Sequence, residues 1–161
     1  MSALPPEGNL TTGGVGPSGL PYTILRTTRF HNLLVLVLGQ PARSGILLVP
    51  AGTDFQPVEV AEVAARLVEP ALGAPAGWVP DMGGPEIVSA AEPARTYPRV
   101  TGGRGPVVPL LVPGRIAAAF RCGVHLAPDR PAGCGTFADF VSVAAGPSGY
   151  EAAGSPLRLA P

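Results

Sequence analysis

The chain has 161 residues, and its eleven basic residues, all arginine, balance eleven acidic ones to a formal net charge of zero. That balance gives no electrostatic ground for nucleic acid or an anionic membrane as a partner, and the length suits one domain or a large piece of one. The absence of lysine removes every mechanism that needs an amine side chain. Gly and Pro supply 22 and 21 residues, yet 46% of the chain is apolar and only 14% is charged. A globular core with loop-rich ends is therefore expected, not a disordered chain.

Residues 1–17 are rich in turn formers without apolar periodicity and read as a flexible arm. Gly14, Gly16 and Gly19 spell G-x-G-x-x-G there, the pattern of a dinucleotide-binding turn. The context is wrong for that chemistry, which needs a strand before the glycines and a helix after them. "PPEGNLTT" is no buried strand, and "LPYTILR" reads as a strand. Pro17 removes a backbone donor, and no acid lies between Glu7 and Asp54 to meet a ribose. The pattern is read as chance.

"YTILRTT", residues 22–28, is β-branched and apolar and is predicted to be a strand. "RFHNLLVLVLG" reads as a buried helix closed by Gly39. "GILLVP", 45–50, suits a short strand. Val60, Val63, Ala64, Leu67, Val68 and Leu72 share one face of a helix that Gly73 stops. "GWVPDMGG" reads as a strand running into a turn. Next, Ser89 and Glu92 have the spacing of a capping box for a following helix. "PVVPLLVP" is extended, "GRIAAAFRCGVHL" helical, and "TFADFVS" a last amphipathic segment. Pro70, Pro93 and Pro98 fall at helical spacing, so at least one helix is expected to be shortened or kinked. The tail, 144–161, reads as disordered. Strands alternating with helices make the class α/β.

Cys122 and Cys134, with His31 and His125, do not complete a zinc-ligand set, so no metal is expected and the thiols read as free and partly buried. The N-terminus has no leader pattern, and the longest apolar run, Leu33 to Leu38, is far shorter than the roughly 20 residues that span a bilayer. A soluble, cytoplasmic protein is expected.

"SGLPYTILRTTRFHNLL", "FQPVEVAEVAARLVEPALG", "GGPEIVSAAEPAR" and "PGRIAAAFRCGVHLAPDRPAGCGTFADF" stand in order between residues 18 and 143. Together they resemble the C-terminal half of the NmrA-like, atypical short-chain dehydrogenase/reductases, NAD(P)-binding proteins close to the nucleoside-diphosphate-sugar epimerase-like group. The resemblance implies a partial Rossmann-like fold in which "GLPYTILRTTRFH" forms a late strand of the sheet and the loop after it. It also implies NAD(P) as cofactor of the intact fold, with Thr28, Arg29, Phe30 and His31 lining the nicotinamide end. The family usually has glutamine where Arg29 stands. Members that transfer hydride commonly carry a Gly-rich strand-turn-helix and a Tyr-x-x-x-Lys pair upstream, where Lys lowers the Tyr pKa. Without lysine that pair cannot exist.

The chain is therefore expected to be a truncated, oxidoreductase-like half-domain without independent catalysis and with no catalytic residue of its own. Its partner would be a small-molecule substrate or a complementary chain. The alternative is a non-enzymatic redox-sensing or partner-binding module. Other residues read as structural. His31 alternatively packs at a helix start beside Phe30, and Asp81 with Gly83, Gly84, Pro85 and Glu86 forms a tight turn more readily than an acidic site. Asp54 and Glu59 are expected on solvated faces, and Arg121, Asp129 and Arg130 suit ion pairs.

Overall fold

The computed structural model describes residues 19–42, 45–102 and 104–144. The expected arm and nearly all of the expected tail, with Gly14 and Gly16, lie outside them. The elements run β1 (Thr23–Ile24), α1 (His31–Ala42), β2 (Leu47–Pro50), β3 (Asp54–Phe55), α2 (Val60–Leu72), β4 (Gly77–Trp78), β5 (Val88–Ser89), α3 (Ala91–Thr101), β6 (Val107–Leu110), α4 (Arg115–Arg121) and α5 (Phe137–Ala144). β1 pairs with β4 and β2 with β6, both parallel, while β3 and β5 are antiparallel. The class is α/β, as expected.

β1 is short by its regular residues, but its ladder is not. Backbone bonds run from Gly77 N–H to Tyr22 O, Val79 N–H to Ile24 O, Met82 N–H to Arg26 O and Thr28 N–H to Met82 O. They cover the span 22–28 that the β-branched run predicts. On the far side of the β4 line, Gly83 N–H donates to Arg130 O and Ala132 N–H returns to Gly83 O. Beyond β1 the chain turns the other way. Val58 N–H donates to Arg29 O and His31 N–H to Val58 O, so residues 28–31 lie between 58 and 82–84.

The main core joins α1, β2, α3 and α5 through Leu34, Leu38, Leu47, Val49, Ala94, Phe137, Phe140 and Val141. Each of the Leu, Val and Phe side chains, fully buried, contributes about 1.5–3 kcal/mol. A second cluster, Val58, Val63 and Met82 with Leu25 and Phe30, fills the space between α2 and the β1–β4 ladder. In α1, His31, Leu34 and Leu38 face inward at helical spacing, while Leu33, Leu36 and Val37 are exposed.

Several expectations change. α1 continues through Gly39 to Ala42. Ser89 does not cap α3: it is an exposed strand residue, Ala90 holds the N-cap position, and no side-chain cap bond is made there. Ser89 pairs with Asp54 as the last residue of β5, one position before the cap of α3. A side-chain cap of the predicted type forms instead at α5. There Thr136 Oγ1 accepts from Asp139 N–H, and Asp139 Oδ2 accepts from the amide and hydroxyl of Thr136. Those bonds to the charged form hold the Asp139 carboxyl below its usual range. α2 and α3 run on past Pro70 and Pro98, and Pro93 sits in the first turn of α3, where its missing N–H costs nothing. The α2 apolar stripe is only partly used. Val63 is buried, whereas Val60, Leu67, Val68 and Leu72 are exposed, Leu72 by 85%.

Candidate functional site

The loop that follows β1 is locked by its neighbours, residue by residue. Thr28 is buried, and its Oγ1 accepts the Gly84 amide at 3.2 Å. Phe30 pairs with Val58 and packs into the second cluster. His31, at the first position of α1, has no exposed surface; its ring stacks on Phe140 with centroids 5.2 Å apart and lies 6.0 Å from Phe137. Its Nε2 meets the Gly135 carbonyl at 3.1 Å. A carbonyl only accepts, so Nε2 carries the proton and Nδ1 is a bare acceptor. Nδ1 is buried without a partner among the described residues. Of the expected cofactor-facing residues, Arg29 alone is exposed.

The "FQPV" and "GGPE" pieces explain each other. Gln56 is 2% exposed; its Nε2 donates to Gly84 O (3.0 Å) and Ala127 O (3.2 Å), and its Oε1 accepts from Ala127 N–H at 2.8 Å. Gly83 and Gly84 let the backbone approach this amide and the Pro57 carbonyl. The stretch is not the tight turn expected: Met82 and Gly83 are extended and bridge to Thr27 and Pro131, the chain bends only at Pro85, and β5 follows before the helix. Asp81 is engaged nearby, where Nε and Nη2 of Arg26 both donate to its Oδ2, Nε at 2.8 Å. Glu86 is exposed.

Sequence reasoning missed two arrangements. Glu62 Oε1 accepts the amides of Cys134 (2.7 Å) and Gly135 (3.2 Å), so Glu62 and His31 clamp the 133–136 loop from two elements. Its Oε2 is buried without a partner among the described residues. Glu59 is half-buried, not on an open face, and burial followed by the Glu62 carboxylate pushes its pKa up. The second arrangement is a stack: the Arg29 guanidinium lies over Phe120, Phe120 stacks on His125, and Phe55 meets the edge of His125. His125 Nε2 donates to Asp54 O at 2.7 Å. Neither was legible, because each joins residues far apart in the chain. Arg121 binds the Val112 carbonyl, and Arg121, Asp129 and Arg130 make no ion pair among the described residues. Cys122 and Cys134 are free but exposed, not partly buried. Among the described residues no cluster of His, Cys, Asp and Glu is fit to hold a metal, and no helix is long and apolar enough to cross a membrane.

Acid is expected to weaken the fold through the histidines. Burial lowers the His31 pKa despite the Gly135 bond and the Glu62 and Asp139 carboxylates. It also lowers that of His125, with Arg29 adding to the fall. The unfolded chain gains protons near its ordinary value of about 6.5, and the native chain does not. Stability is therefore full above that pH and declines as pH drops through it toward the lowered native values. Urea melts across that range will give this limb. His31→Phe, which keeps the ring packing, should remove part of it; an unchanged limb would rule His31 out as a contributor.

No protein-family model and no curated protein matches the chain. Among solved structures it is similar to a nucleoside-diphosphate-sugar epimerase from Staphylococcus aureus, with a TM-score of 0.55 and 16% identity, covering 78% of this chain and 53% of that one. The chain thus spans about half the length of that protein. At this identity the likeness concerns the fold, a partial Rossmann-like arrangement.

Proposed function

We propose that the chain is the substrate-side half of an NmrA-like, short-chain-dehydrogenase/reductase type NAD(P)-binding protein, cytoplasmic and without independent catalysis. The observation that carries this reading is the epimerase-like fold over 78% of the chain, in a sequence whose ordered motifs resemble that family. The described residues do not by themselves fit a dinucleotide. Thr28 Oγ1 is occupied by the Gly84 amide, Phe30 lies in a core, His31 is enclosed, and only Arg29 offers an exposed donor group on this loop. In this reading the chain contributes the rigid wall of the substrate cleft and one cation, and the other half of the fold supplies the pyrophosphate turn and the acid/base pair.

A second reading, a partner-binding or redox-sensing module, is favoured by the exposed apolar stripe of α2. Val60, Leu67, Val68 and Leu72 cluster on one helix face, which a lone soluble domain would normally bury. NADPH titration by fluorescence separates the two. The expected result is no saturable binding by the chain alone, and binding when a separately made Gly-rich half from an NmrA-like protein is added. Tight binding by the chain alone would remove the need for a partner. No binding in either mixture would end the NAD(P) reading.

A further inference from the structure

The stack around Arg29 has a free end. Arg29 Cζ sits 5.4 Å from the Phe120 ring centroid, and the centroids of Phe120 and His125 are 4.4 Å apart with planes inclined by 29°. His125 is fixed in turn by the Asp54 carbonyl and by Phe55, whose ring meets it edge-on at 5.9 Å. The guanidinium therefore rests on a supported aromatic platform. A planar cation over a ring face keeps its N–H edges available, and the stack reduces the rotamer freedom it must lose on binding. The ion pairs among the described residues are Arg26 with Asp81 and Arg66 with Glu69, so Arg29 has no carboxylate partner there. Asp54 offers the stack its backbone carbonyl, not an ion pair. Arg121, next along α4, is also without an acidic partner among these residues, and its head binds the Val112 carbonyl.

An exposed arginine on a flexible stem is ordinary. One stacked on an aromatic that is itself stacked on a pinned histidine is pre-positioned, and an uncompensated guanidinium fork matches a carboxylate edge-on with two parallel hydrogen bonds. His125 adds no competing charge at neutral pH, because burial, with repulsion from Arg29, lowers its pKa. The residue lies on the loop that leaves the carboxyl end of β1, the end where open parallel sheets bind ligands.

We propose that Arg29, held on the Phe120–His125 platform, is a carboxylate anchor, and that the substrates of this site are carboxylate-bearing small molecules. This deepens the function proposed above and rests on its placing the 28–31 loop against the substrate. Phe120 and His125 act as positioning residues, and Arg29 makes the contact.

Benzoate and its neutral isostere benzamide are the probes, titrated into the full chain without cofactor and followed by the NMR resonances of His125, Phe120 and the Arg29 side chain. Benzoate is expected to bind saturably and at least about tenfold more tightly than benzamide. Arg29→Gln should remove that preference while leaving the remaining spectrum in place, since the side chain is exposed. Phe120→Leu, which takes away the platform and keeps the charge, should weaken benzoate and raise the salt sensitivity of what remains. Equal binding of benzoate and benzamide, no binding of either, or a preference that survives Arg29→Gln would overturn the assignment. Because no cofactor is present, this outcome is independent of the NADPH titration, which alone decides the parent reading.

Discussion

Gly84→Ala is expected to lower stability by roughly 3 kcal/mol or more, a large share of the 5–15 kcal/mol typical of a small domain. A Cβ at this position would stand 1.7 Å from the Pro57 carbonyl oxygen and 2.5 Å from its carbon. The cause is close approach and not backbone conformation, because Gly84 is not among the glycines with positive φ. Neither contact is the end of a flexible side chain, so relief requires the backbone to part. Parting would stretch the bond from the Gly84 amide to Thr28 Oγ1 and the one from Gln56 Nε2 to the Gly84 carbonyl. The midpoint of urea unfolding measures the effect. Gly73→Ala is the control: its φ is −86° and the nearest atom to an added Cβ is 3.3 Å away, so a loss below about 1 kcal/mol is expected. Equal midpoints for the two variants would contradict the packing of 84 on 57.

Gln56→Leu is the second large effect, also about 3 kcal/mol or more. Leucine keeps most of the volume but leaves the Gly84 carbonyl and the Ala127 amide without their partner in a buried place, while the Ala127 carbonyl keeps only the Arg130 amide. Each unsatisfied buried group costs about 1–3 kcal/mol. Gln56→Glu separates hydrogen bonding from packing. Its carboxylate still accepts from Ala127 N–H but faces two carbonyls it cannot serve, whereas the protonated acid donates to one of them. The Glu variant should therefore be weaker than wild type at neutral pH and recover part of the gap in acid; no such recovery would place the cost in packing. Since Gln56 and Gly84 share a bond, the double variant should lose less than the sum of the singles.

The ordered motifs were legible as pieces of an α/β half-fold because each is local: β-branched runs, helical spacing and glycine turns act within a few residues. The span 22–28 and the stop of α2 at Gly73 follow from such signals. The predicted cap at Ser89 failed by one residue, because α3 starts after Ala90, whose amide is held by the Thr53 carbonyl. Ser89 itself ends β5, while the same motif succeeds at Thr136. Gly39 failed as a stop for a related reason, since its cost inside a helix is only about 1 kcal/mol, which packing elsewhere along α1 outweighs. The site was legible only as a stretch, residues 28–31, and not in the exposure of its members.

What the sequence determined by itself is therefore the α/β class and the absence of lysine-dependent chemistry from this chain; the reading of Gly14, Gly16 and Gly19 as a chance pattern falls outside the described residues. These depend on composition and on neighbours along the chain. Tertiary structure alone decided that His31 is sealed against Gly135 and Phe140, that Arg29 faces outward on Phe120, and that Gln56 bridges Gly84 and Ala127. Those contacts join residues separated by 28 positions (Gln56 and Gly84) to 109 (His31 and Phe140). No local pattern encodes them, because burial and hydrogen-bond partners at that separation are set only when the chain closes on itself.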